Sequence, residues 1–305
     1  RSVRSHRTAE ADPPICPEFE ANMKISTTFG VVKAEFGAIG VCLFDDEVKN
    51  PKLAALDRAT VREVIRLIAA AKFTGKKKQT VVHLTDRTAA AVLILQGRGA
   101  RKDFEWRALR IAAGAVTRAA RDNGAKSAVM VSEDQIAKDL DVDNVTRSVV
   151  EGIVLGNWRF DHYKNSKPGD VKEIKSVAIH YSTEGRRNAA MRMLKRFQTI
   201  AECQNLAREW GTQPTNVVTT DFLANEAKKL KKLGVRVTVL ERRDLKRLGM
   251  NLMLAVSAGT AMPPKLIIMD WHPRGMKKTY AFVGKGLVFD SGGLNIKTAM
   301  MEEMK

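Results

Sequence analysis

The sequence predicts an α/β protein, two α/β domains joined by a long helix. Three observations predict it. Apolar runs of strand length alternate with segments of helical period across residues 25–184; one amphipathic stretch fills 185–210; and a second alternation begins at 211 and runs to 305. With 305 residues and 44% hydrophobic content, the chain can bury two cores of ordinary size.

Residues 1–24 read as an irregular arm, because Pro13, Pro14 and Pro17 crowd together in it. Its first residues, RSVRSHR, carry Arg and Ser with no acid before Glu10, which suits either the tail of a mitochondrial presequence or a trimmed boundary. Next come strand-like runs at GVCLF (40–44), TVVHL (80–84), AVLILQG (91–97) and KSAVMV (126–131), with helices expected over 57–71 and 106–121. That rhythm predicts a mainly parallel sheet. SVAIHY (176–181) closes the first domain.

In 185–210, Ala190, Met193, Leu194, Phe197, Ile200 and Ala201 recur at helical spacing, while Arg187, Arg192, Lys195 and Arg196 fall largely elsewhere. This predicts a long connecting helix. Beyond it a helix is expected over 221–233, with Thr219 or Thr220 as cap, lysines in its last turns and Gly234 as its stop. VRVTVL (235–240), a short helix in ERRDLKRLG, KLIIMD (265–270) and TYAFVG (279–284) complete the second alternation. No internal repeat or low-complexity segment is visible.

Lys and Arg number 52 against 34 Asp and Glu, a formal net charge of +18 that attracts nucleic acid, acidic membrane surfaces or acidic protein partners. The basic runs are short and scattered (Lys76 to Lys78, Arg186 and Arg187, Lys228 to Lys232, Arg242 to Arg247), and they read as solvated faces. Cys16, Cys42 and Cys203 are too widely spaced for a disulfide framework or a zinc finger. No apolar run approaches the ~18 residues that cross a bilayer, so the expectation is a soluble intracellular protein, mitochondrial or cytoplasmic, without membrane partners. No histidine pair forms HExxH and no serine sits in GxSxG; His83 and His180 lie in strand-like runs and read as core histidines, and Trp158, Trp210 and Trp271 as core or interface aromatics.

Chemistry concentrates in VGKGLVFDSGGLNIK (283–297), just past an expected strand end, where α/β sheets gather reactive groups. Gly284, Gly286, Gly292 and Gly293 let the backbone approach a bound group closely. Neither a phosphate loop nor a dinucleotide fingerprint has its glycines in place. A metal-assisted site fits the residue types: Asp290 suits a divalent cation, a lysine such as Lys285 ligates one when neutral, and a charged Lys297 polarises a carbonyl oxygen. A turn in which Asp290 caps and both lysines face solvent fits the same spacing.

That stretch, together with EGIVLGNWRFDHYK (151–164), QNLAREWGTQPTNVVTTDFLA (204–224) and PPKLIIMD (263–270), resembles the leucyl aminopeptidase family, M17. The resemblance implies an N-terminal α/β domain, a connecting helix, and the start of a metallo-aminopeptidase catalytic domain at 211–305. It implies a homo-hexamer that removes leucine-like N-terminal residues from peptide substrates. Lys285 and Asp290 match metal ligands, and Lys297 matches the catalytic lysine. Two divalent ions, manganese or zinc, would acidify a bridging water, with bicarbonate as the base.

The family's further carboxylate ligands come from DMGG and NTDAEGR segments that do not occur in these 305 residues, so the resemblance implies an incomplete catalytic domain here. The TAMMEEMK run also departs from the family spacing, with Thr298 for a proline. Glu302 and Glu303 read there as exposed acids rather than replacement ligands, and Thr212 stands where an asparagine is usual. The alternative is an aminopeptidase-derived scaffold, structural or nucleic-acid-associated, with weak or no catalysis; the charge of +18 favours it, and the three site residues favour the peptidase.

Overall fold

A computed structural model describes residues 23–32, 36–131, 141–165, 172–275 and 277–288. The chain divides into two compact units, 1–207 and 208–305.

In the first unit, strands β1 (Lys24–Phe29), β2 (Ala38–Leu43), β3 (Thr80–Leu84), β4 (Val92–Gly97), β5 (Ser127–Val131) and β6 (Ser176–Tyr181) form one sheet in the order β1-β6-β5-β2-β4-β3. Every neighbouring pair is parallel except β3 with β4. The strand-like runs beginning at 40, 80, 91, 126 and 176 thus all become strands, in a parallel-dominated sheet. β2 and β4 are buried along their whole length, as central strands covered on both faces must be.

Strand alternation sorts the core into two layers. Ile39, Val41, Leu43, Leu93, Leu95, Val129 and Val131 face one way and pack with Val64 and Leu67 of α1 (Arg58–Ala70). On the other face, Cys42, Ile94, Met130 and Ile179 meet α2 (Trp106–Asp122), α3 (Val142–Asn157) and the first part of α4 (Glu184–Thr212). Only Ala190, Phe197 and Ala201 of α4 are buried, matching the apolar positions of its amphipathic pattern.

Asp57 caps α1. Its carboxylate accepts from the backbone N–H of Ala59 (2.8 Å) and Thr60 (3.0 Å) and from the Thr60 hydroxyl (2.5 Å). Partial burial works against the charge, but the Thr60 and Ala59 hydrogen bonds outweigh it and hold the carboxyl below its ordinary value. A depressed native value adds stability that is present above the unfolded-state pKa and disappears as pH falls through the native one. Asp57→Ala is therefore expected to cost about 1 kcal/mol in urea unfolding at neutral pH, and this difference shrinks as the pH is taken below the carboxylate range.

Three features of the first unit depart from expectation. β1 begins at Lys24, inside the segment read as an arm, and Met23 before it is buried in the core; residues 1–22 lie outside the described residues. α3 was not expected: its Val145, Val149, Val150, Ile153 and Val154 are all buried, and burial on nearly every side blurs the one-sided helical pattern that would mark it in sequence. His83 is not a core residue; it sits half-exposed on edge strand β3 with Nε2 3.0 Å from Glu63 Oε1. His180 is buried as expected, its Nε2 2.8 Å from the Gly30 carbonyl.

In the second unit, α5 (Thr220–Lys229) runs into a 3₁₀ turn at Leu230–Leu233, so the helix expected over 221–233 tightens in its last turn. Thr219 is the cap, its hydroxyl accepting from the Phe222 N–H at 3.1 Å, and Gly234 stops the segment with φ of 83°. β7 (Arg236–Leu240), α6 (Arg242–Arg247), α7 (Asn251–Val256) and β8 (Leu266–Asp270) follow, with β7 and β8 forming a two-stranded antiparallel sheet. TYAFVG at 279–284 is not a strand: among the described residues no strand pairs with it, and an isolated strand has no partner for its backbone groups.

Candidate active site and metal centre

The QNLAREWGTQPTNVVTTDFLA segment builds the entry to the second unit. Trp210 packs edge-to-face on Phe222 with ring centroids 5.7 Å apart. Pro214 opens a turn whose carbonyl accepts from the N–H groups of Val217 (3.0 Å) and Val218 (3.1 Å), and Thr219 then caps α5. Thr212 closes α4 with its hydroxyl donating to the Arg208 carbonyl at 2.7 Å, a local role that leaves its side chain exposed.

PPKLIIMD places a lysine that the sequence reading did not single out. The Lys265 side chain is 7% exposed, and its Nζ lies 2.9 Å from Asp221 Oδ1 and 2.7 Å from both Glu241 carboxylate oxygens. Burial alone would lower its pKa, yet the Glu241 and Asp221 hydrogen bonds and charges win and raise it. The ammonium thus ties the start of α5 to the β7–α6 junction, and Thr220 adds a hydrogen bond to the Pro263 carbonyl at 2.9 Å. Its three donors are committed to carboxylates, which makes Lys265 a structural lysine. No local signal marks it in sequence, because Asp221 and Glu241 come from distant segments.

Of the three predicted site residues the structure places Lys285; Asp290 and Lys297 lie outside the described residues. Lys285 stands in the 277–288 segment, which has no helix or strand, and is exposed; no carboxylate or carbonyl among the described residues bonds its amine. Phe282 is 95% and Val283 99% exposed just before it. Among the described residues no three His, Cys, Asp or Glu side chains cluster closely enough to hold a metal ion. One amine and one carboxylate would also leave most of the charge of two dications unbalanced, so this donor set by itself does not fit a two-metal centre.

Elsewhere among the described residues the side chains offer no competing chemistry. The Cys42 thiol is pushed up to about 12 by burial, partly countered by Arg98, and is inert as a nucleophile. Cys203 is a free, exposed thiol. A depression of about 420 Å³ beside α1 is lined by Val31, Val32, Ala59 and Ala89, with the Asp57 carboxylate already engaged in capping. Lys76 to Lys78 are exposed, and Lys229 and Arg247 pair with Glu226 and Asp244 on their own helices, as expected of solvated faces. Trp271 is 65% exposed. No helix among the described residues is long and apolar enough to cross a membrane.

What emerges is a three-layer α/β unit, then a smaller α/β unit ending in a glycine-rich segment that carries a lysine. Comparison with known proteins gives that arrangement a family. The N-terminal domain of the cytosol aminopeptidase family matches residues 40–167, and the catalytic domain of the same family matches 205–305. The chain belongs to the cytosol aminopeptidase family, M17.

A probable cytosol aminopeptidase of Nitrosococcus oceani is 31% identical over 90% of this chain and 56% of its own length. One from Aquifex aeolicus is 34% identical over 85% of this chain and 51% of its own. The chain thus spans about half the length of the curated relatives it matches. Among solved structures, a tomato leucine aminopeptidase mutant shares the fold with a TM-score of 0.75 and 22% identity, covering 90% of this chain and 56% of that one. The bottromycin maturation enzyme BotP in complex with Mn shares it with a TM-score of 0.61 and 20% identity, over 78% and 46%.

Proposed function

We propose that this chain serves in the hydrolysis of N-terminal, leucine-like residues from peptides. The observation that carries the reading is the catalytic-domain match over 205–305, the span that contains VGKGLVFDSGGLNIK, in order after the N-terminal-domain match. Within it Lys285 and Asp290 are the residues to ligate a divalent ion. Lys297 is the residue to donate to the carbonyl oxygen of the scissile bond, where negative charge grows in the transition state. Because two ligands do not balance two dications, activity is proposed for an assembly that also holds the acids of the family's DMGG and NTDAEGR segments. A metal is proposed as manganese or zinc; the manganese in the related BotP structure makes manganese the first to try.

The test is release of p-nitroaniline from leucine p-nitroanilide by the full-length gene product, with manganese, after chelation, and after manganese is restored. Release that disappears on chelation and returns with the metal is expected. Release indifferent to the metal, or none under any condition, would remove the proposal.

A further inference from the structure

The first unit holds a cavity of about 420 Å³ that the proposed hydrolysis leaves unused. Its size falls within the range of roughly 300–1,000 Å³ typical of small-molecule sites. Three separate pieces of chain meet there: Val31 and Val32 just after β1, the start of α1, and the β3–β4 loop at 86–89. Val31, Val32, Ala59 and Ala89 give it an apolar wall. Three charged residues, Asp57, Asp86 and Arg87, line it too. The Asp57 carboxylate is committed to the N–H groups of Ala59 and Thr60 at the positive end of α1, so that charge and that helix end largely cancel. Asp86 and Arg87 remain. Asp86 is exposed, and its carboxylate accepts from no described residue. Arg87 does not pair with it; its one ion pair among the described residues is with Glu63 at 3.9 Å, a carboxylate already shared with Arg66 and His83.

We infer that this cavity binds a free α-amino acid with an aliphatic side chain: Asp86 takes the ammonium, Arg87 the carboxylate, and the valine and alanine wall the side chain. The charge balance selects the ligand class. One uncommitted carboxylate beside one uncommitted guanidinium matches a zwitterion whose two charged groups sit on one carbon. A phosphate or nucleotide would meet two carboxylates against a single cation, and the helix end that could hold an anion is already occupied by Asp57. A polyamine would leave the guanidinium facing another cation. An uncharged apolar ligand would strip water from Asp86 and Arg87 without replacing its hydrogen bonds. The wall then separates aliphatic amino acids from glycine, because each buried methylene strengthens binding about fourfold. The inference rests on the cavity alone; where the proposed hydrolysis also holds, the ligand is its product and the first unit senses it.

The test titrates leucine into the isotope-labelled chain of 305 residues and follows its amide resonances, with a chelator present so that no metal site contributes. Saturable shifts at 31–32 and 86–89 in the millimolar range are expected. N-acetyl-leucine, which lacks the ammonium, and leucinamide, which lacks the carboxylate, are expected to bind at least about tenfold more weakly. Asp86→Asn should erase the preference for leucine over N-acetyl-leucine, and Arg87→Gln the preference over leucinamide, each keeping the other. Both side chains are exposed, so circular dichroism and Tm are expected to match the parent. The two analogues test the same contacts on the unaltered chain, should either variant unfold. No saturable shift at 31–32 and 86–89, shifts confined to other residues, analogues that bind as well as leucine, or variants that keep both preferences would overturn the inference. Leucine bound here, with no peptidase activity in the full-length gene product, would uphold it and count against the catalytic reading alone.

Discussion

Gly152→Ala is expected to destabilise the first unit by about 2 kcal/mol, although alanine is the better helix former by roughly 1 kcal/mol. The reason lies in how closely α2 and α3 cross. A Cβ on Gly152 would stand 2.3 Å from the Arg110 carbonyl oxygen and 2.7 Å from Ala113 Cβ, and one on Gly156 would stand 2.4 Å from Gly114 Cα. These obstacles are backbone and Cβ atoms, which no rotamer change can move, so the helices themselves must separate. Separation would also stretch the pair between Arg110 Nη2 and Glu151 Oε2, now 2.6 Å apart on the same two helices, with Glu151 buried and also held by Arg147 at 2.8 Å. Gly185→Ala in α4 is the control: a Cβ there meets nothing within 4 Å, and no loss is expected. Urea unfolding of the three proteins checks this, and a Gly152→Ala protein as stable as its parent would mean that α2 and α3 do not touch through their glycines.

That crossing gives Gly152 and Gly156 in EGIVLGNWRFDHYK a structural role. Two glycines four residues apart are a packing requirement, and a sequence scan that looks for one apolar stripe misses the helix that contains them. The central strands were legible for the opposite reason: VCLF and VLILQ lie fully covered, and continuous apolar runs of strand length between turn residues have few other readings. The ends of α5 were legible too, because Thr219 and Gly234 act through neighbours within a few residues. β1 was not, since KISTTF carries three hydroxyl side chains and becomes a strand only by lying in register along β6. Long-range pairing of this sort leaves no local trace.

The candidate site divides along the same line. A glycine-rich stretch carrying Lys285, Asp290 and Lys297 is local and readable by residue type and spacing. Where those groups stand relative to one another is set by tertiary packing, which residue type and spacing do not encode. TYAFVG shows the cost of ignoring this: its composition is that of a strand, but composition cannot supply the neighbouring strand that would accept its hydrogen bonds. Lys265 shows the converse, since nothing in PPKLIIMD announces that two acids from other segments will enclose its amine.

If the proposed roles hold, Lys297→Ala in the full-length assembly is expected to lower kcat by about 10²–10³ while leaving metal content unchanged, because a charge aimed at the carbonyl oxygen acts chiefly on the transition state. Lys285→Ala should behave differently. Removing a ligand weakens the hold on the ion, by at least the 10–100-fold typical of losing a group that merely orients a ligand, so bound manganese should fall and excess manganese should recover part of the activity. The pair of substitutions thus separates the two lysines by their response to one variable, the free metal concentration, with metal content measured directly alongside kcat. If Lys297→Ala were rescued by manganese, or if Lys285→Ala kept its metal and lost only kcat, the two roles would have to be exchanged. If neither changed, the chemistry would lie outside this segment, and the glycine-rich turn would be a structural turn with two solvated lysines.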